Sequence, residues 1–311
     1  MLSYVGNGAY CYANSTSMLL NTIGEKIPPE TIEVLTGVGL GTVWFEEDKM
    51  FYFSVGVPHT GVSKALDILG FAYVENSSTS ADRLEELLTS EITRQPVMLG
   101  PLDMAYLSYN PNHRFLQGCD HYVLAFRIEG GNVLIHDPAG YPNVILPLDN
   151  LFSASKTSRL QFRMYPRDLA YHYWCAPKRV KHPSPREIYQ EAIRYFRQVY
   201  QEAEGTTSEH NWQIGRDAIM TLKRHMQERT MEPGIKGHLT HFAFQLGAKR
   251  ALNYREFFQS ENETLANLKL QQSEVFGKCH SLAVQEKWSA AGEALNELAD
   301  LEDQFLELLF R

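Results

Sequence analysis

The spacing of apolar residues divides the chain into a mixed first half and a helical second half. From residue 186 onward, apolar residues recur at intervals of three and four, the period of one face of an α-helix. One such face is formed by Trp288, Ala291, Leu295, Leu298, Leu301, Phe305 and Leu308. Further faces begin at Ile188 and at Leu265. We therefore expect about five helices packed as a bundle.

The first half alternates between helical patterns and strand patterns. Helices are predicted over residues 12–23, 28–36, 62–69 and 81–93, and glycines at 24, 37 and 70 end the first three. A short buried strand is predicted over residues 96–99. Residues 121–128 and 132–137 are predicted to form one hairpin around Glu129-Gly130-Gly131.

A proline-containing basic stretch separates the two halves. Residues 176–185 read Ala-Pro-Lys-Arg-Val-Lys-His-Pro-Ser-Pro, which is typical of a linker or a domain edge. We therefore expect the α+β fold class, with a mixed domain over residues 1–176 and an α-helical domain over residues 186–311.

Composition and charge exclude several functions. The chain has 311 residues, of which 44% are hydrophobic and 21% charged, as in folded globular proteins. A net charge of −8 argues against general binding to nucleic acid or to an anionic membrane surface. No apolar run is long enough to span a bilayer, and residues 1–8 lack the pattern of a secretory signal. We expect a cytoplasmic protein.

The four cysteines, at positions 11, 119, 175 and 279, are widely spaced and form no CxxC motif. This spacing argues against a zinc cluster and against a disulfide scaffold, and neither a metal nor another cofactor is expected. Each thiol is therefore either a small buried residue or a reactive thiolate.

Cys11 is the candidate nucleophile because it directly precedes the first predicted helix. A thiol there faces the positive end of the helix dipole, and the N–H groups around Cys11 and Tyr12 would stabilise an oxyanion. His121 would act as the base, and Asp137 would orient its ring, which completes a catalytic triad. The alternative is that the cysteine is a buried core residue and the histidine a structural one.

The hairpin turn decides whether His121 and Asp137 can meet. A three-residue loop pairs Ile128 with Asn132, which places the two side chains on the same sheet face as diagonal neighbours. A two-residue loop would place them on opposite faces. Three-residue loops with a left-handed glycine are common, so the sequence permits the pair without imposing it.

Four stretches resemble known families. Residues 10–24, YCYANSTSMLLNTIG, resemble the nucleophile helix of papain-like, C39-type cysteine peptidases. Residues 120–123, DHYV, and 133–138, VLIHDP, resemble their histidine strand and the Asp-Pro that follows it. Residues 96–109, PVMLGPLDMAYLSY, followed by Asp-His-Tyr, resemble the butirosin biosynthesis protein H family. That family joins such a domain to a helical C-terminal region, as this chain does by pattern.

The resemblance implies a papain-like N-terminal domain and acyl transfer in secondary metabolism, namely antibiotic biosynthesis. The family's namesake moves an acyl chain from the thioester of an acyl carrier protein to an amine of an aminoglycoside. By this resemblance, Cys11 would carry the acyl group as a thioester, with His121 as base and Asp137 as the orienting residue. The implied partners are a small-molecule amine acceptor and an acyl carrier protein as donor.

Four further residues are candidates for substrate or oxyanion binding. Peptidases of this type carry a glutamine shortly before the cysteine; this chain lacks it, and Asn7 is the candidate amide donor. Tyr12 would contribute its backbone N–H group. Asp103 and Tyr106 would either line the pocket and bind the acceptor amine, or form a polar loop that supports the histidine strand.

Two other function classes stay open at this level. A peptidase or an amidase would use the same triad for hydrolysis. A non-catalytic interaction protein would use its helical half as the working surface.

Overall fold

The computed structural model describes residues 2–6, 8–76, 83–165, 169–207, 210–228 and 231–311. The elements up to residue 183 are α1 (Cys11–Asn21), α2 (Pro29–Leu35), β1 (Val43–Phe45), β2 (Met50–Tyr52), α3 (Pro58–Leu69), β3 (Phe71–Asn76), α4 (Leu84–Arg94), β4 (Val97–Asp103), β5 (Asp120–Glu129), β6 (Asn132–Asp137), β7 (Tyr141–Pro147), α5 (Leu148–Ser155) and β8 (Tyr173–Arg179). They are followed by α6 (Pro185–Thr207), β9 (Trp212–Ile214), α7 (Gly215–Gln227), α8 (Pro233–His238), α9 (Phe244–Gln259), α10 (Glu263–Val284) and α11 (Trp288–Leu309). Single 3₁₀ turns lie at Met104–Tyr106 and His113–Phe115, and a π-helical turn lies at Leu239–Ala243.

The chain folds into two compact units. The sheet unit comprises Met1–Ile32 and Pro58–Pro183, and the helical unit comprises Glu33–Val57 and Ser184–Arg311. The predicted α+β class, with a sheet region followed by a helical region, is confirmed. The sequence-based division had assigned residues 33–57 to the N-terminal domain, whereas the structure groups them with the helical unit. The reason is that β1 of this segment pairs with β9, far along the chain.

The sheet unit is built on one antiparallel sheet with helices on both faces. Its six strands have the order β3-β8-β4-β5-β6-β7. On β4, Val97 and Leu99 pack into an apolar cluster that includes Leu88 of α4 and Leu151 of α5. The alternate residue, Met98, contacts Thr16 of α1. Because successive strand residues point to opposite faces, α1 covers one face of the sheet, and α4 and α5 cover the other.

The β5–β6 hairpin has the predicted pairing near His121, but a β-bulge produces it instead of a three-residue loop. Its loop has two residues, since Glu129 pairs with Asn132, and this register alone would separate His121 and Asp137 onto opposite faces. A β-bulge between Ala125 and Arg127 then shifts the register by one residue. Beyond the bulge, the ladder follows the pairing that a three-residue loop would have produced. The bulge therefore brings the histidine and the aspartate to the same face.

The helical unit combines helices α6–α11 with a three-stranded antiparallel sheet of order β2-β1-β9. The sequence analysis predicted the helices but not this sheet. The core is rich in large aromatic side chains that are fully buried, among them Trp44, Phe45, Phe196, Tyr254, Phe258 and Phe305. Within the described ranges of the chain, none of the helices has the length and apolar character needed to cross a membrane.

Candidate active site

Cys11 is the first residue of α1, and its side chain is partly exposed. The residue before it, Tyr10, has φ 56° and ψ 51°, in the left-handed region that non-glycine residues rarely adopt. Such a conformation costs about 1–3 kcal/mol, and residues that adopt it cluster at functional sites. It turns the chain sharply into the helix. The thiol therefore lies beside the first-turn N–H groups, which have no partner within the helix.

Asn14 holds this turn in place, although the sequence analysis did not single it out. Its side chain is fully buried, and its Nδ2 donates to the carbonyl oxygens of Ala9 and Tyr10, the latter at 3.0 Å. The amide thus binds the two carbonyl groups that precede the nucleophile. We infer that Asn14 fixes the position of Cys11 from one helical turn away.

Ser15 joins α1 to β5 next to the histidine. Its Oγ donates to the carbonyl oxygen of Tyr122 at 3.1 Å, and both residues are buried. Because Tyr122 follows His121 directly, this bond sets the helix that carries the cysteine against the strand that carries the histidine.

His121 connects the other two predicted residues. Its Nε2 forms a 2.7 Å hydrogen bond with Oδ1 of Asp137, and the Cys11 side chain is near enough to its ring to help raise its pKa. Since Nε2 is occupied by the carboxylate, Nδ1 is the ring nitrogen left for the thiol. The structure therefore brings the three residues together in the order thiol, imidazole and carboxylate.

The charges at this site reinforce one another. Burial alone would lower the pKa of His121, but the charge of Asp137 and the hydrogen bonds to Asp137 and Cys11 raise it well above its usual value. Burial likewise opposes ionisation of Asp137, yet His121 and further hydrogen bonds lower the pKa of this carboxyl. Both shifts favour the imidazolium–carboxylate form of the pair, and an imidazolium stabilises a neighbouring thiolate.

Tyr109 is a further residue that sequence reasoning missed. Its hydroxyl donates to Oδ2 of Asp137 at 2.7 Å, while the backbone N–H of Ala139 donates to Oδ1 at 2.7 Å. Burial and the nearby carboxylate raise the pKa of the phenol well above its usual value, so it stays a donor. Tyr109 ends the stretch that resembles the butirosin family, but nothing in its spacing links it to Asp137.

Two of the four candidate binding residues, Asn7 and Tyr12, are close to Cys11 in the sequence. Asn7 lies outside the described residues. The Tyr12 ring is buried and meets the Tyr122 ring edge-on, with 5.7 Å between centroids. Only its backbone N–H, in the first turn of α1, is in a position to serve an oxyanion.

Asp103 ends β4, and Tyr106 lies in the 3₁₀ turn that follows it, ahead of the histidine strand. Oδ1 of Asp103 accepts from the N–H groups of Ala105 at 2.9 Å and Gly118 at 3.2 Å, which caps the 3₁₀ turn. The Tyr106 ring lies 5.6 Å from the guanidinium carbon of Arg159. No described hydrogen bond or ring contact joins either residue to the triad. This favours the supporting-loop interpretation over the pocket.

Within the part of the chain that the structure describes, no group of three or more His, Cys, Asp or Glu residues could hold a metal ion.

Comparisons with known proteins agree with the resemblance read from the sequence. Residues 10–138, which include Cys11, His121 and Asp137, match the family described as butirosin biosynthesis protein H, N-terminal. Residues 209–310 match the YobF C-terminal domain. A relative from Bacillus subtilis (strain 168), described as uncharacterized protein YobF, is 42% identical over 311 residues, or 99% of each chain. The chain therefore belongs to the YobF family, in which a butirosin biosynthesis protein H-type region precedes the YobF C-terminal domain.

Proposed function

We propose that this protein is a cysteine-dependent acyltransferase that moves an acyl group from a thioester donor to an amine. The observation that carries the proposal is that His121 is hydrogen-bonded to Asp137 and interacts with Cys11 at the start of α1. The family match adds a role in butirosin-type antibiotic biosynthesis, where an acyl carrier protein is the proposed donor.

In the first half-reaction, the Cys11 thiolate attacks the carbonyl carbon of the donor thioester. The tetrahedral oxyanion is stabilised by the first-turn N–H groups of α1. When it collapses, the donor sulfur leaves and takes the proton of the His121 imidazolium. The products are an acyl-enzyme thioester and the free donor thiol, with His121 neutral.

In the second half-reaction, an amine attacks the acyl carbon and transfers a proton to His121. The Cys11 thiolate leaves, which releases an amide and restores the imidazolium that Asp137 stabilises. Transfer requires the amine to outcompete water.

The test is the formation and fate of an acyl adduct. The protein is incubated with the butyryl thioester of N-acetylcysteamine and analysed by intact-protein mass spectrometry. We expect one butyryl group on Cys11, which ethanolamine or an aminoglycoside discharges faster than water does. Cys11→Ala should abolish the adduct with little effect on folding. Asp137→Asn should retain part of the activity.

Cys119 offers a matched control. Of the four cysteines, Cys175 and Cys279 are buried, whereas Cys119, like Cys11, is accessible to solvent. The Cys119→Ala variant should acylate at the parental rate. Discharge by water alone would favour a hydrolase with the same residues, and turnover of peptides without a thioester would favour a peptidase. No adduct at all, with a Cys11→Ala variant that behaves like the parent, would refute catalysis at this cysteine.

A further inference from the structure

Two segments of the sheet unit lie side by side where the histidine strand begins. Residues 104–119 lead from β4 into β5, and residues 156–165 follow α5. The backbone N–H of Gln161 donates to the carbonyl oxygen of Gly118 at 3.0 Å, which joins the two segments. Together they form one surface beside His121, which we call the entry surface.

The first of these segments also reaches the candidate active site. Tyr109, in its middle, donates to the carboxylate of Asp137, and its last residue lies two positions before His121. Between these points, most of residues 111–117 are exposed to solvent. A molecule bound to the entry surface therefore lies next to the residues of the triad.

The entry surface is positively charged in a chain that is negative overall. Residues 104–119 and 156–165 contain four basic and no acidic residues, against a net charge of −8 for the whole chain. The side chains of Arg114, Lys156 and Arg159 are exposed. Among the described residues, no ion pair joins any of these three to a carboxylate, so their charges face solvent.

Two carboxylates flank the entry surface, and both are held by hydrogen bonds within the fold. Asp103 is only 2% exposed and accepts from the backbone N–H groups of Ala105 and Gly118. Asp120 is partly buried and accepts from the Tyr165 hydroxyl at 2.9 Å. Even when both are counted, basic residues outnumber acidic ones, and the charges directed to solvent are the basic ones.

A phenylalanine side chain projects from the same surface. The ring of Phe115 is 87% exposed, the largest exposed fraction among the large apolar side chains of the described residues. Its turn is fixed by backbone hydrogen bonds from Phe115 to Asn112 at 2.9 Å and from His113 to Asn110 at 3.0 Å. An aromatic ring held in water on an ordered turn gains free energy when a partner buries it.

We propose that the entry surface is the docking site of an acidic carrier protein that presents the acyl thioester to Cys11. The basic side chains attract carboxylates of the carrier, and the Phe115 ring contacts an apolar patch among them. A small thioester needs only the triad, whereas charges and an apolar anchor outside it suit a donor that is itself a protein. The inference rests on the proposed acyl transfer and adds the surface that recognises its donor.

Nucleic acid and anionic membranes fit this surface less well. Their negative charge extends well beyond an area of this size and would meet the acidic remainder of the chain. A small acidic protein places its charge opposite the basic residues alone. We therefore expect selective binding of the protein partner.

The first test measures docking separately from acylation. A bacterial acyl carrier protein in its phosphopantetheine form is labelled with fluorescein, and its binding to the full chain is followed by fluorescence anisotropy. Because salt screens exposed charges, binding should weaken at least about tenfold from low to moderate ionic strength. Arg114→Gln combined with Arg159→Gln should weaken it at least about tenfold at low salt, and Phe115→Ser should weaken it several-fold.

The matched control removes two exposed lysines, Lys178 and Lys181, from the same unit. They lie at the opposite end of the sheet, because β8 pairs with the start of β4, whereas the start of β5 pairs with the end of β4. Lys178→Gln combined with Lys181→Gln removes the same charge and should leave binding unchanged. Absent or salt-independent binding, an equal loss in both double variants, or stronger binding to phosphatidylglycerol vesicles would overturn the proposal.

The second test separates the docking surface from acyl transfer itself. Acylation of Cys11 is measured with the butyryl form of the same carrier protein and with the butyryl thioester of N-acetylcysteamine, which is small and uncharged. The Arg114→Gln, Arg159→Gln variant should lose at least about tenfold in kcat/KM with the carrier and keep the parental value with the small thioester.

The outcomes of the two tests are distinguishable. Equal losses with both thioesters, or no loss with either, would refute the docking surface and leave acyl transfer standing. Docking that depends on Arg114, Arg159 and Phe115, with no adduct on Cys11 from either thioester, would refute acyl transfer and support the surface.

Discussion

The Tyr109 hydroxyl should make a measurable contribution to the free energy of unfolding, because it donates to the buried carboxylate of Asp137. Tyr109→Phe removes the 2.7 Å hydrogen bond to Oδ2 and leaves the bonds from His121 and Ala139 to Oδ1. Asp137 is fully buried, so water cannot replace the lost donor. A hydrogen bond to a charged group contributes about 1.5–3 kcal/mol, and we expect the free energy of unfolding to fall by about that amount.

The pH dependence of this lost unfolding free energy distinguishes the Tyr109–Asp137 hydrogen bond from a general packing effect. Because folding lowers the pKa of Asp137, the ionised carboxylate stabilises the folded state at pH values above its pKa in the unfolded chain, about 3.9. This stabilisation is lost as the pH falls through the lower pKa of the folded state. The difference between Tyr109→Phe and the parent should therefore be constant from about pH 5 to pH 8 and shrink in acid. Urea titrations at several pH values measure it.

Tyr141→Phe is the matched control. Its ring lies 5.8 Å from that of Tyr109, but its hydroxyl makes no described hydrogen bond to Asp137. We expect a change in unfolding free energy within about 0.5 kcal/mol. If Tyr109→Phe cost as little as this control, or if its cost were the same in acid, the hydroxyl would not support the ionised carboxylate as argued.

Three further outcomes follow from the site. His121→Ala should slow iodoacetamide alkylation of Cys11 at pH 7 at least about tenfold, because the imidazolium that stabilises the thiolate is lost; an unchanged rate would contradict the pair. Asn14→Ala should lower the unfolding free energy by about 1–3 kcal/mol and slow acylation, since the carbonyls of Ala9 and Tyr10 lose the side-chain amide that binds both of them; normal acylation kinetics would argue against a positioning role. The raised pKa of His121 contributes stability that is complete below about pH 6.5 and lost as the pH rises, whereas the lowered pKa of Asp137 contributes above about pH 3.9. The stability gap between the parent and a His121→Gln, Asp137→Asn double variant should therefore be largest between those values, and a flat profile in unfolding titrations would refute the coupling.

The sequence by itself determined the local elements and the chemical identity of the site. Hydrophobic period and glycine stops predicted α1, α4 and the β5–β6 hairpin to within a few residues. The position of Cys11 before the first helix indicated a candidate nucleophile, and the resemblance of short stretches indicated the family. These features are local. They depend on residues that are close in the sequence and therefore close in space in any fold.

Only the tertiary structure decided how these parts meet. The bulge between Ala125 and Arg127 set the register, and no turn signal encodes it. Tyr109 reaches Asp137 from 28 residues away. Residues 33–57 joined the helical unit through the pairing of β1 with β9. Contacts between distant segments depend on which surfaces pack best across the whole molecule, and a periodicity records only which face of one element is apolar.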